Sequence, residues 1–364
     1  MSATAGTPDS VRWERAGIAA LIAFAFFAYW PSLTGGFIWS DELSISGNEL
    51  LRNANGLYRM WFTTQPQDYW PLTNTSFWLE WRVWGLNPLG YHLTNVVLHC
   101  GNALLLWFIL RRWAIPGAFL AALFFVVHPV NVVSVAWITQ RKNTLSLLFF
   151  LLSVICYDRR EKRAGLWYGL SILAFLLAML SKGSVAVLPP VLLLIAWWRN
   201  GRVTRADIVR TVPFFVIAIG LTLVNIWFQT HGGEAIRHAT PAERLAGSGA
   251  IVWFYLYKAL VPIDLSFIYA PWQIEPTQIA WWLPLVAMLG VTAGLFRLRD
   301  RRFGRAAFVA WAFYLLALAP VMGFTDVQFM KYSLVADQYQ YLGLLAVCTA
   351  VAAGLTRLFG GADG

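Results

Sequence analysis

The sequence predicts an all-α polytopic membrane protein, and three observations carry that reading. Only 13% of the 364 residues are charged while 59% are hydrophobic, against about 25% charged in soluble domains. So few charges cannot cover a soluble surface of this size. The charges also cluster, leaving apolar runs that approach the roughly 20 residues needed to cross the hydrocarbon core. Third, many of the 20 Trp and 13 Tyr stand at the ends of those runs, Trp30, Trp107, Trp113, Trp197, Trp198, Trp281 and Trp282 among them. Interfacial belts place them so.

The elements follow in order. Residues 1–15 are polar, hold Arg12 and Arg15, and read as a cytoplasmic tail. The apolar run from Ile18 to Trp30 lacks a small-residue cleavage site, so it reads as an uncleaved first span over about 16–32. Residues 33–88 mix Asp41, Glu42, Arg52, Arg59, Asp68, Glu80 and Arg82 with many aromatics. That mixture suits a first extracytoplasmic loop with helices lying in the interface. Spans are expected near 91–110, 115–128, 144–157, 165–180, 185–198 and 209–230, with basic ends at Arg111-Arg112, Asp158 to Arg163, and Arg199 to Arg205. The stretch 247–262 is apolar enough to cross. A full crossing, however, would put Arg297, Arg299, Arg301, Arg302 and Arg305 outside, against the positive-inside bias. It is therefore expected to be re-entrant or interfacial. Spans near 280–296, 306–322 and 338–357 bring the bundle to about 10–11 transmembrane helices. Residues 16–358 form one membrane domain, with 359–364 as a C-terminal tail.

The net charge of +10 comes mostly from arginine near span ends. Topology explains it, and no nucleic acid is implied. Cys100, Cys156 and Cys348 fall within apolar runs, where a small buried hydrophobe is expected. The loop 231–244 has two histidines and two glutamates, but their spacing fits no metal motif and reads as solvated. His92 and His99 share a helix face and should pack within the bundle.

The outward-facing ends carry an unusual set of ionisable groups: Asp41 and Glu42, His128, Arg141 and Lys142, Lys182, Asp264, Lys331 and Asp337. Charge at membrane depth is costly and marks function. A carboxylate on an exterior loop can act as general base toward a hydroxyl, or, as Asp41 with Glu42, hold a divalent cation such as Mg or Mn. Cations at the bilayer surface can hold the phosphate of a lipid-linked donor and stabilise the charge that develops on it. Plain structural roles stand beside these. His128 before Pro129 could cap a span, Lys182 and Arg141 could snorkel to headgroups, Asp264 could be a helix N-cap, and Asp337 could complement a helix dipole.

Seven stretches in order resemble one family. They are Phe37-Ile38-Trp39-Ser40-Asp41-Glu42; Tyr69-Trp70-Pro71-Leu72-Thr73; Gly85 to Asn95; His128-Pro129-Val130-Asn131 through Trp137 to Arg141-Lys142; Leu180-Ser181-Lys182-Gly183; Pro262 to Ser266 with Tyr269; and Val335 to Leu342, with Asp337 and Tyr341. The series resembles the GT-C membrane glycosyltransferases, most closely the TMTC-like group, which includes eukaryotic O-mannosyltransferases and many bacterial proteins with tetratricopeptide repeats. The resemblance implies a GT-C-like bundle and a polyprenyl-phosphate sugar donor. It also implies transfer to an extracytoplasmic acceptor hydroxyl, of a protein Ser/Thr or a glycan, and points to a bacterial inner (cytoplasmic) membrane. It assigns Asp41, with Glu42, to catalysis and Arg141, Lys142 and Lys182 to donor phosphate, with His128, Asp264, Tyr269, Lys331, Asp337 and Tyr341 in support.

Three departures are visible. Bacterial relatives continue into repeats, and this sequence ends at Gly364, so acceptor recognition is expected to be absent or supplied by a partner subunit. After His128-Pro129 the family often places a second histidine or acid, where this chain reads Asn131-Val132-Val133-Ser134. The last motif commonly has arginine where Gln338 stands. A non-catalytic GT-C-fold subunit of a larger complex is the alternative. A transporter would call for an inverted repeat or paired discontinuous helices, and the sequence has neither.

Overall fold

The computed structural model describes residues 8–66, 68–159, 164–230 and 236–360. Arg160 to Arg163 of the basic cluster, His231 and Glu234 of the histidine loop, and the tails at 1–7 and 361–364 lie outside the described residues.

The helices are α1 (Pro8–Tyr29), α2 (Glu49–Arg52), α3 (Gly56–Phe62), α4 (Pro71–Trp84), α5 (Pro88–Arg112), α6 (Ala118–Val127), α7 (Val132–Ala136), α8 (Arg141–Asp158), α9 (Ala164–Ser181), α10 (Leu188–Asn200), α11 (Arg205–Thr230), α12 (Pro241–Leu260), α13 (Leu283–Arg297), α14 (Arg302–Leu318) and α15 (Leu344–Phe359). No strand occurs among the described residues. Local signals set several ends. Asn87 and Asn48 cap α5 and α2 by accepting from Leu89 N and Leu50 N. Thr240 and Glu243 form a capping box on α12.

Six helical stretches are long and apolar enough to cross a membrane: Arg12–Thr34, Pro88–Arg112, Gly183–Asn200, Arg205–Gln229, Ile279–Arg297 and Phe303–Val321. At 25 residues α5 is about 37 Å long, more than the roughly 30 Å of hydrocarbon. The remaining expected spans depart from a simple apolar rod for physical reasons. Pro129 ends α6, and the chain bends by 50° into α7. Gly165–Ser181 and Leu344–Phe359 are apolar but shorter. Helix α8 carries a buried polar face with Asn143, Thr144, Ser146 and Ser153.

Two ends of the bundle can be told apart by their contacts. At one, Arg111 pairs with Glu14, while Arg112 and Arg199 both pair with Asp158. Arg305 joins this end, its guanidinium over Trp197. The arginines after α13 therefore share an end with those after α10, as the positive-inside argument requires. At the other end both termini of α12 are anchored: Arg244 pairs with Asp326, and Ala259 O accepts from the His128 ring. Helix α12 therefore begins and finishes at the same end, in keeping with an interfacial or re-entrant segment. The main apolar core runs through α1, α5, α6, α8–α12, α14 and α15.

Candidate functional site

A cavity of about 1010 Å³ opens at that second end, at the top of the range usual for ligand pockets, about 300–1,000 Å³. The first loop supplies Trp39, Ser40, Asp68 and Trp70, and α4 supplies Thr73 and Asn74. Trp137, Thr139, Gln140 and Lys142 come from the start of α8 and the turn before it. Lys182 and Ser184 come from the break after α9, and Asn225, Ile226 and Gln229 from α11. Arg237, Arg244, Asp326, Phe329, Tyr332, Gln338 and Tyr339 complete the wall.

Lys142 and Lys182, both half-buried, face this space. Lys142 lies 4.0 Å above the Trp70 ring. Lys182 donates to Asn143 Oδ1, and the Asn143 amide is in turn fixed by donating to Ser134 Oγ at 3.2 Å and Gln140 Oε1 at 3.0 Å. Among the described residues neither lysine makes an ion pair. Across the cavity, Arg244 holds Asp326 through two bonds of 2.8 and 2.7 Å, and Arg237 adds one of 3.3 Å. Burial raises the Asp326 carboxyl, but the two arginines more than offset it and leave its pKa below the ordinary value. A depressed carboxyl contributes stability above its unfolded pKa of about 4, and that stability is lost as pH falls through the folded value. Asp326→Asn is expected to cost about 1.5–3 kcal/mol near neutral pH, read as a lower Tm in detergent, with the difference from wild type shrinking below about pH 4.

Asp41 is fully buried, with Oδ2 accepting from Ile38 N at 3.1 Å and Oδ1 from Thr139 N at 2.9 Å. It sits behind Ser40 and Thr139, which both line the cavity and whose hydroxyls bond each other at 3.0 Å. Both flanks of Asp41 are irregular: Trp39 holds a left-handed φ of 49°, and Glu42–Ser46 forms a π-helical turn. Such features concentrate at functional sites. Burial pushes the Asp41 carboxyl up, opposed by those backbone bonds. Glu42 is exposed and does not line the cavity. Among the described residues no three His, Cys, Asp or Glu side chains gather as a metal site. Neither Asp41 nor Glu42 borders the cavity itself, and each Asp41 oxygen accepts one backbone N–H.

Arg141 departs from the expectation of a phosphate ligand. It is fully buried and its guanidinium is spent inside the protein. Its Nε donates to Asn95, one terminal nitrogen donates to Glu80 at 2.7 Å and Ser76 at 3.4 Å, and the other donates to Tyr91 O at 2.9 Å. It ties α8 to α4 and α5 and does not reach the cavity wall. Removing one member of a buried pair leaves an uncompensated charge and costs about 3–5 kcal/mol. Arg141→Met is therefore expected to lower Tm and yield sharply, as measured by thermal melting of the detergent-solubilised protein.

The supporting residues also separate. His128 caps the turn at Pro129, its Nδ1 accepting from Val130 N and its Nε2 lying 3.0 Å from Ala259 O, a structural post. Tyr341 bonds the His99 ring at 2.7 Å inside the bundle. Asp264 is exposed, with a left-handed φ of 49°, and starts no helix, so it is not an N-cap. Asp337 is buried and accepts from Tyr269 Oη at 2.8 Å; burial raises its pKa to about 6, with Tyr269 and Lys258 opposing. Lys331 is exposed on the turn after Phe329. Three groups that the sequence reading left among ordinary loop residues, Asp68, Arg237 and Arg244, line the cavity, as does Asp326. Asp68 accepts from Gln229 at 3.3 Å, and burial raises its carboxyl while Lys142 opposes the rise.

No family model matches the sequence. Protein O-mannosyl-transferase Tmtc1 of Drosophila melanogaster is 34% identical over 196 residues, covering 49% of this chain and 21% of that protein. Protein O-mannosyl-transferase F38B6.6 of Caenorhabditis elegans is 24% identical over 286 residues, 72% of this chain and 40% of that protein. Protein O-mannosyl-transferase TMTC4 of Homo sapiens is 30% identical over 200 residues, 46% and 26% respectively. The chain thus matches between 21% and 40% of the length of these relatives. With its helices long enough to cross a membrane, the chain is a multi-pass α-helical membrane protein, and part of its length is similar to the TMTC protein O-mannosyl-transferases.

Proposed function

We propose that the cavity transfers a sugar from a polyprenyl-phosphate-linked donor to a hydroxyl of a protein acceptor. The observation that carries the reading is the pair of cavity-facing lysines beside the N-terminus of α8, neither of which makes an ion pair among the described residues. A lysine ammonium and a helix N-terminus both favour a phosphate. Ile226 lines the cavity and is 42% exposed on the apolar flank of α11, where a lipid tail would leave. The relatives' names, protein O-mannosyl-transferase, point to the same chemistry.

In this reading Lys142 and Lys182 hold the donor phosphate. The bond from the anomeric carbon to the phosphate oxygen breaks, and the phosphate leaves with the charge the lysines stabilise. The acceptor oxygen forms the new bond to the anomeric carbon. Its proton passes by way of the Thr139 hydroxyl to Asp41, the general base, because Thr139 lines the cavity while Asp41 lies behind it and takes a side-chain hydrogen bond from Thr139. Asp68 tempers the charge of Lys142. The purified protein in nanodiscs should move a labelled hexose from a short-chain polyprenyl phosphate to a Ser/Thr-rich peptide. A protein that neither transfers the hexose nor binds that lipid would overturn the reading.

A further inference from the structure

The inner wall of the cavity holds polar groups that the transfer step does not use. Gln338 is 2% exposed and lines the cavity, yet neither atom of its side-chain amide has a hydrogen-bond partner. The phenol of Tyr339, next in the chain and also on the wall, is likewise unpartnered. Gln340 and Asn131 have unpaired amide atoms too, but neither borders the cavity. Behind Gln338 and Tyr339 a recess of about 20 Å³ continues inward, bordered also by Lys182 and Asn143. That is room for about one water or one hydroxyl group.

Buried polar atoms are almost always paired, and leaving them unpaired is costly. The partner that suits this pair is set by their chemistry. An amide presents donors and an acceptor, and a phenol presents one of each. A phosphate diester only accepts, so it would leave the amide oxygen orphaned. A sugar hydroxyl both donates and accepts. Lys182 borders the cavity and the recess alike, so a sugar whose phosphate rests on Lys182 lies beside these groups.

We infer that Gln338 and Tyr339 form a hydroxyl-reading subsite for the donor sugar, with one hydroxyl entering the recess and the ring staying in the main cavity. This rests on the reading of the cavity as a donor site. The subsite determines specificity for an unsubstituted hydroxyl on the sugar and contributes little to the lipid or the phosphate.

The test compares two probes on wild-type, Gln338→Met and Tyr339→Phe proteins in nanodiscs: a short-chain polyprenyl phosphate, and the same lipid phosphate carrying a hexose. Wild type should bind the hexosyl lipid at least about tenfold more tightly than the bare one, the scale of one or two hydrogen bonds to buried groups. The preference should fall towards unity in Gln338→Met and partly in Tyr339→Phe, with bare-lipid affinity and Tm unchanged. An undiminished preference in both variants would mean that water satisfies these groups, and would overturn the subsite while leaving the donor site standing. Failure of wild type to bind either lipid would overturn both.

Discussion

Asp41→Asn is expected to lower transfer by roughly 10²–10⁴-fold, the contribution of a positioned general base. The loss should fall on kcat, because Asp41 lies behind Ser40 and Thr139 and makes no contact with a resting donor in this arrangement. The pH profile supplies a second readout. A general base works ionised, and burial raises the Asp41 carboxyl above its ordinary value. Activity should therefore climb with pH through the raised pKa, with an acid limb above the range of an exposed aspartate, about 4. Residual activity in the variant should lack that limb. Asparagine keeps only one acceptor oxygen for the two N–H groups of Ile38 and Thr139, so some destabilisation accompanies the change. A melting curve shows whether the protein assayed is folded. Thr139→Val should share the kcat loss and Thr139→Ser should restore most of it, since only the hydroxyl carries the proton. Folded Asp41→Asn protein with wild-type kcat would remove Asp41 from the mechanism.

The membrane architecture was legible because its cause is local. Apolar runs, aromatic ends and arginine clusters are properties of neighbouring residues, and they place α1, α5 and α11 and the common end of Arg199 and Arg305 without reference to the rest of the chain. The site was legible only in part. Lys142 and Lys182 stand out because an unpaired cation at an outward end has few bland uses. Arg141 shows the same signal and is a structural strut. What decides its role is Glu80, 61 positions earlier, and no spacing rule reveals that contact. Asp68 and Asp326 were hidden for the converse reason. A loop carboxylate reads as solvated unless its partners are known, and theirs lie 161 and 82 positions away, at Gln229 and Arg244. Gln338 stood out in sequence only as the residue replacing an arginine of the resembled family. Its burial and unpaired amide emerge once the 337–340 turn meets the cavity.

Lys182→Met separates a ligand-binding cation from a structural one more cleanly than any other single change. Lys182 has no carboxylate partner among the described residues, so its removal leaves no buried charge uncompensated. Asn143 loses one donor but keeps its bonds to Ser134 and Gln140. The variant should therefore melt close to the wild-type temperature, because a methionine in a half-buried site no longer carries the desolvation cost of an ammonium, which offsets the donor lost by Asn143 Oδ1. Donor binding should weaken by about 10–100-fold, corresponding to a charge-assisted hydrogen bond of about 1.5–3 kcal/mol. Because the same charge also stabilises the departing phosphate, kcat should fall as well. Lys142→Met should weaken binding less, since Asp68 already offsets part of that charge. The contrast with Arg141→Met is the deciding measurement: Arg141 should lose stability first, and Lys182 should lose donor affinity with stability intact. If Lys182→Met keeps wild-type affinity for the polyprenyl-phosphate hexose, the phosphate does not rest on this lysine and the donor must be oriented differently in the cavity.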